Sequence, residues 1–212
     1  MAESLNFEKE YILENEFVLL RSIQLDDFNN LLPYSLKEPE IWKYSLIEAS
    51  GESALKLYLE KAVLARQNKN EYAFIVFDKR TNSYTGTTRF YDIQIANKSL
   101  QIGYTWYGKE FQGTNLNKNC KLLLLTFAFD SIGIERVEFR ADNGNERSIA
   151  AMKSLGCTVE GVLKSHCLKP DGSRRDSIIL IILKQDWEAT IKNNLTAKVQ
   201  EVNSRVKTLK LF

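Results

Sequence analysis

One histidine, three prolines and three cysteines are all that this 212-residue chain holds of the residue types that most often build metal centres, rigid turns and disulfide frameworks. A lone His166 is too few for most zinc sites. Cys120, Cys157 and Cys167 are an odd number, without the paired spacing of a metal knuckle or a stapled scaffold. No apolar run approaches the roughly 20 residues that cross a bilayer. The longest leucine stretch, Leu122–Leu125, therefore belongs to a core. The first residues, Met1-Ala2-Glu3-Ser4, place an acid where a secretory signal needs a basic flank. Charge of one sign is missing too: 29 Lys and Arg stand against 27 Asp and Glu, a net charge of +2. That balance gives no reason to expect a nucleic-acid partner or an anionic membrane surface. The expectation is a reduced, cytoplasmic α/β protein without metal. Hydrophobic residues make up 44% of the chain, and a chain of this length buries about 70% of its unfolded surface without staples.

What is present is an alternation of strand and helix patterns. Phe17–Arg21 is apolar and β-branched, a strand. Asp26 and Asp27 can cap a helix carrying Phe28, Leu31 and Leu32, which Pro33 should cut short. Ser50–Ser53 opens a helix with Leu55, Leu59, Ala62 and Val63 at helical spacing, ending near Asn68. Tyr72–Phe77 and Thr85–Tyr91 form a hairpin about Thr81-Asn82-Ser83, and Ser99–Tyr107 is a third strand with a bulge or a close backbone approach expected near Gly103. Lys118–Phe129 is apolar on nearly every side, a buried helix closed by Gly133. Val137–Arg140 is a strand, and Asn145 caps a helix closed by Gly156. Thr158–Leu168 and Ser177–Leu183 are strands about the turn Lys169–Ser173. The order β-α-α-β-β-β-α-β-α-β-β implies a mixed sheet in an α/β fold. No linker precedes residue 185, so one domain is expected over residues 1–187. A polar helical appendage follows over 188–212, with Trp187, Ile191, Leu195, Val199 and Val202 in a sparse stripe.

The loop Gly108–Asn117 lies between a strand and the buried helix. A helix N-terminus offers unpaired N–H groups and a partial positive charge, which suits phosphate. Gly113 lets a pyrophosphate approach the backbone, and Asn115 and Asn117 are the residue types most tolerant of left-handed φ after glycine. An ordinary strand-to-helix loop reads the same way.

Here the chain resembles a known family. Gln112-Gly113-Thr114-Asn115-Leu116-Asn117 resembles the Q/R-x-x-G-x-G/A acetyl-CoA loop of GNAT acetyltransferases, with Asn115 and Asn117 where the family usually has Gly and Gly/Ala. Asn145–Gly161 is similar to the N-x-x-S/A…LGF…EG segment of the branch containing the ribosomal-protein alanine N-acetyltransferases. The hairpin His166–Leu183, with Pro170-Asp171-Gly172 at its tip and Arg175-Asp176 beyond, follows that branch's ending. Together these matches span about residues 15–187.

The resemblance implies the GNAT fold, with splayed parallel strands, and acetyl-CoA as cosubstrate. Tyr104, Trp106, Gln112, Gly113, Thr114, Asn115, Leu116, Asn117, Asn145 and Ser148 would contact the cofactor. An N–H from the bulged strand near Tyr104–Trp106 would stabilise the oxyanion, and Ser148 would give the departing thiolate a hydrogen bond. Tyr104 and Tyr107 are alternative hydroxyl donors. The acceptor would be a protein N-terminal α-amine. A small-molecule amine is the alternative, as is a non-catalytic acyl-CoA-binding module, and the chain would be a monomer or a homodimer. No general base stands out: Glu110, Asp92 and Glu160 lie nearest the expected cleft and read as surface charges. Arg174-Arg175 reads as a solvated basic step, and Asp26–Tyr44 shows no aromatic or acidic code for the acceptor.

Overall fold

The computed structural model of the chain describes residues 4–209. Its strands are β1 (Ile12–Glu14), β2 (Val18–Ser22), β3 (Tyr72–Asp78), β4 (Ser83–Gln94), β5 (Ser99–Tyr107), β6 (Arg136–Asp142), β7 (Thr158–Leu168) and β8 (Arg174–Leu183). They form one eight-stranded mixed sheet in the order β1-β2-β3-β4-β5-β6-β8-β7. Every neighbouring pair is antiparallel except β5 and β6, which run parallel and are joined through helix α3 (Leu116–Thr126). The mixed α/β architecture and the parallel pair agree with expectation; the short β1 was not foreseen.

Strand β3 shows how the sheet divides the core. Tyr72, Phe74 and Val76 pack on one face, together with Leu116, Cys120 and Leu124 of α3. Ala73 and Ile75, in the opposite phase, pack with Leu31 of α1 (Phe28–Lys37) and Leu55 and Leu59 of α2 (Glu52–Gln67). Both faces are covered, so the strand is apolar from Tyr72 to Phe77 rather than alternating.

Helix α1 does not stop at Pro33 but continues through it to Lys37. Pro33 and Asn29, whose carbonyl loses its partner four residues on, are both exposed, so water can serve that oxygen. Buried Leu31 and Ser35 hold the opposite side of the helix. Helix α4 (Glu146–Leu155) has the foreseen ends: the Asn145 side chain accepts from Ser148 N at 3.1 Å, and Gly156 closes it in the left-handed conformation.

Strand β8 begins at Arg174 rather than Ser177. Alternation then sends Arg174 to solvent and Arg175 inward, where it is 7% exposed. The expected solvated pair is therefore half wrong.

A single turn α5 (Lys184–Asp186) leads through Trp187 into α6 (Lys192–Leu209). Trp187 is fully buried, stacks on Phe129 with ring centroids 5.5 Å apart, and donates from Nε1 to Asp130 at 3.0 Å. Leu195 and Val199 of α6 are buried in the same core as α3. Among the described residues, no helix is long and apolar enough to cross a membrane.

Candidate active site

Strands β5 and β6 pair at Ser99↔Arg136, Leu100↔Val137 and Gln101↔Glu138 and then part, although β5 runs on to Tyr107 and β6 to Asp142. The gap opens into a cavity of about 870 Å³. Beside the gap, the β4–β5 register steps from Thr87↔Trp106 to Arg89↔Gly103, so Tyr104 and Thr105 stand opposite Thr88 alone. This is a bulge, one residue beyond the expected Gly103, and Tyr104 takes φ +49° to make it. A bulge turns backbone groups out of the ladder and towards the gap, where they can serve a ligand.

The loop after β5 is shaped by its own side chains. Gln112 donates from Nε2 to Tyr107 O at 2.8 Å and accepts from Arg147 of α4, which links the two sides of the cavity mouth. Gly113 has φ +74°, and a Cβ there would meet nothing within 4 Å, so the backbone is open to an incoming group. Thr114 Oγ1 donates to Phe111 O at 2.7 Å and accepts from Leu116 N at 3.2 Å, an internal brace at the start of α3.

The expected left-handed asparagines are not found. Asn115 is right-handed, with φ −77° and ψ −2°, and Asn117 lies within α3. Asn115 is buried and donates from Nδ2 to Val199 O of α6 at 3.1 Å. Asn117 accepts from the Tyr107 hydroxyl at 3.2 Å. Gly113 alone supplies positive φ in this loop, because the helix has already begun at the asparagines.

Of the residues singled out from the sequence, Tyr104, Trp106, Gln112, Gly113, Asn117, Asn145 and Ser148 line the cavity. Thr114, Asn115 and Leu116 do not; their side chains serve the loop, α6 and the core respectively. Tyr107 also lines the cavity, but its hydroxyl is committed to Asn117, and burial pushes its pKa well up. Among the three carboxylates considered, only Asp92 lines the cavity. Its oxygens accept from Gln94 and Gln101. Glu160 is paired with Arg136.

Two features escaped sequence reasoning. Lys121, on the sheet-facing side of α3, is buried and lines the cavity. Its Nζ lies 3.0 Å from Thr88 Oγ1 and 2.8 Å from Thr105 Oγ1, under the bulge, and burial lowers its pKa to about 8. A lysine one turn into a helix that is apolar on nearly every side was the available signal. The second is an aromatic wall: Trp42, Tyr44 and Tyr58 line the cavity, and Trp42 meets Trp106 at 4.8 Å between ring centroids. It is gathered from three separate segments, so no local pattern reveals it.

The arrangement suits an acyl-CoA thioester. It offers an open glycine at a helix start, a slot between parting strands, and a bulge that faces the slot. The comparisons agree. Residues 18–158 match the profile of the acetyltransferase (GNAT) domain family. A Bacillus subtilis (strain 168) protein provisionally named ribosomal N-acetyltransferase YdaF is 27% identical over 180 residues, covering 82% of this chain and 95% of that protein. The crystal structure of a GCN5-related N-acetyltransferase from Brucella melitensis superposes with a TM-score of 0.83 at 22% identity, covering 90% of this chain and 86% of the other. A ribosomal-protein-S5-alanine acetyltransferase from Vibrio fischeri does so with 0.69 at 19% identity, covering 84% and 98%. These two likenesses speak for the fold. With the profile covering most of its length, the chain belongs to the GNAT family of acetyl-CoA-dependent N-acetyltransferases.

Proposed function

We propose that the chain transfers acetyl from acetyl-CoA to the α-amine at a protein N-terminus. The observation that supports this reading is that none of the four carboxylates lining the cavity, Glu40, Asp92, Asp142 and Glu146, is buried, so none is held there as a strong base. The side-chain oxygens of Asp92 are taken up by two amides, and Asp142 accepts from Gly144 N at 2.8 Å. A lysine ε-amine, with pKa near 10.4, needs such a base, whereas an α-amine near 8 is already partly neutral at pH 7. The name carried by the Bacillus subtilis relative points the same way.

In this reading the backbone from Gly113 to Asn117 holds the pyrophosphate at the start of α3, with Gln112 closing the loop. The edge of β5 from Tyr104 to Trp106, together with Asn145, holds the pantetheine arm. Bound there, acetyl-CoA supplies a thioester whose carbonyl carbon the amine attacks directly. The bulge N–H groups polarise that carbonyl, and the Ser148 hydroxyl donates to the departing sulfur. Thr114 and Asn115 contribute main-chain donors only, whereas the Leu116 N–H is given to Thr114 Oγ1 and its side chain to the core. Residues 1–187 form the catalytic unit, and 188–212 is an appendage whose helix braces α3.

Release of free CoA, measured at pH 7.5 with acetyl-CoA and a set of peptides, tests the reading. Turnover is expected with free N-termini and lost when the N-terminus is blocked, even if lysines remain. Turnover confined to lysine side chains or simple alkylamines would overturn it.

A further inference from the structure

We infer that the acceptor end of the cavity contains a carboxylate-binding subsite centred on Arg175, and that the acceptor is an amine carrying a carboxylate near its amino group. The inference takes the cavity as the acetyl-transfer site and deepens the proposal above by naming what the acceptor carries.

The other largely buried arginines have anionic partners inside the chain: Arg21 with Asp27, Arg80 with Asp78 and Arg89 with Glu71, while the exposed Arg147 and Arg174 bond to neutral oxygens of Gln112 and Ser165. Arg175 differs. It is 7% exposed and lines the cavity, and its Nε has no hydrogen-bond partner among the described residues. A buried guanidinium left in this state costs several kcal/mol of desolvation unless an anion meets it.

Among the described residues, no ion pair or hydrogen bond joins a carboxylate to Arg175, and the carboxylates of the neighbouring strands and loops have partners of their own. Asp176 is bonded to Lys164 Nζ and Ser165 N, and Glu138 to Arg136 and Arg140. Asp142 accepts from Gly144, and Asp92 from two glutamine side chains.

The placement selects the acceptor rather than the acetyl donor. On β8, Ile178, Leu180 and Ile182 face the core under α3. Ser177 and Arg175, in the opposite phase, face the side of α1 and α2. The donor's diphosphate belongs at the N-terminus of α3, across the sheet. His166 shares a 3.0 Å hydrogen bond with Ser177 Oγ and lines the same end. Tyr91, Arg140 and Arg175 all line the cavity. The Tyr91 ring lies against Gly103, where a Cβ would come within 2.7 Å of it, next to the bulge. A planar fork of N–H donors suits a carboxylate in two-point contact.

The test compares matched acceptors that differ only in the carboxylate. One pair is peptides with free N-termini and Asp or Asn at the second position; the other is free amino acids and their amides. The carboxylate member should be preferred in kcat/KM by roughly 10- to 100-fold. Arg175→Gln should collapse that ratio towards one through the acceptor KM, and Arg175→Lys should restore part of it. Calorimetric binding of the same pairs to the CoA complex should show the same ratio without turnover.

Preference within the peptide pair assigns the carboxylate to a side chain beside the N-terminus. Preference within the amino-acid pair alone supports the subsite while overturning the protein N-terminus as acceptor. Equal use of both members in every pair overturns the subsite and leaves the N-terminal reading standing. A raised KM for acetyl-CoA in Arg175→Gln would also overturn it. Should Arg175→Gln fail to fold, the wild-type ratios decide the matter.

Discussion

The Nζ of Lys121 sits 2.8 Å from the hydroxyl of Thr105, placing a buried amine directly beneath the β5 bulge. Thr105 and Thr88 also bond each other at 2.8 Å, so both hydroxyls keep a partner if the lysine is removed.

This predicts an unusual pH dependence of stability. Burial lowers the Lys121 pKa to about 8 from an ordinary 10.5. The unfolded chain therefore binds the extra proton between those values, and stability rises with pH across that window. The penalty is complete below pH 8 and gone above 10.5, a change of about 3 kcal/mol. Lys121→Met should be more stable than the parent at pH 7, and its advantage should shrink between pH 8 and 10.5. Cys120 and Cys157, whose thiols burial pushes up to about 12, titrate in both proteins and largely cancel in the difference. Denaturant melts of the two proteins across this range measure it; a constant gap would show that the lysine is not desolvated.

Gly113→Ala separates folding from binding. The added methyl meets no atom of the chain, so only the positive φ is penalised, at about 1 kcal/mol. The KM for acetyl-CoA should rise at least tenfold if that face of the loop receives the diphosphate. A KM unchanged in a folded variant would place the diphosphate elsewhere.

Asn115→Ala should act on the C-terminal helix instead. It removes the donor to Val199 O and should cost about 1–2 kcal/mol. Amide exchange in α6 should speed up more than in β3. Uniform acceleration throughout would show that α6 is no separate brace.

Asn145→Ala loses the cap of α4 and about 1 kcal/mol of stability, whereas Asn145→Asp keeps an accepting oxygen for Ser148 N. If Asn145 also holds the pantetheine arm through its amide, both variants should raise the KM for acetyl-CoA, and only the alanine should lower the melting temperature.

Much of this was legible along the chain. The ends of α4 follow from Asn145 and Gly156, and the bulge from the broken alternation at Gly103. The parallel strands follow from the buried helix between them. What escaped depends on where a residue faces in space. Pro33 is harmless because its turn happens to face water. The role of Asn115 lies with Val199, 84 residues away. Arg175 was within reach: starting β8 at Arg174 would have put the two arginines in opposite phase, so that both could not be solvated. Placing the strand start at Ser177 leaves Arg174-Arg175 as a basic step outside the alternation.

The brevity of contact between β5 and β6 has a thermal consequence. Two half-sheets, β1 to β5 and β6 to β8, are tied across that seam by three residue pairs in the strand ladder. A long ligand threaded into the opening becomes a cross-tie between them. Heat resistance should then climb steadily with donor concentration, by mass action, whether or not any acetyl group is ever transferred.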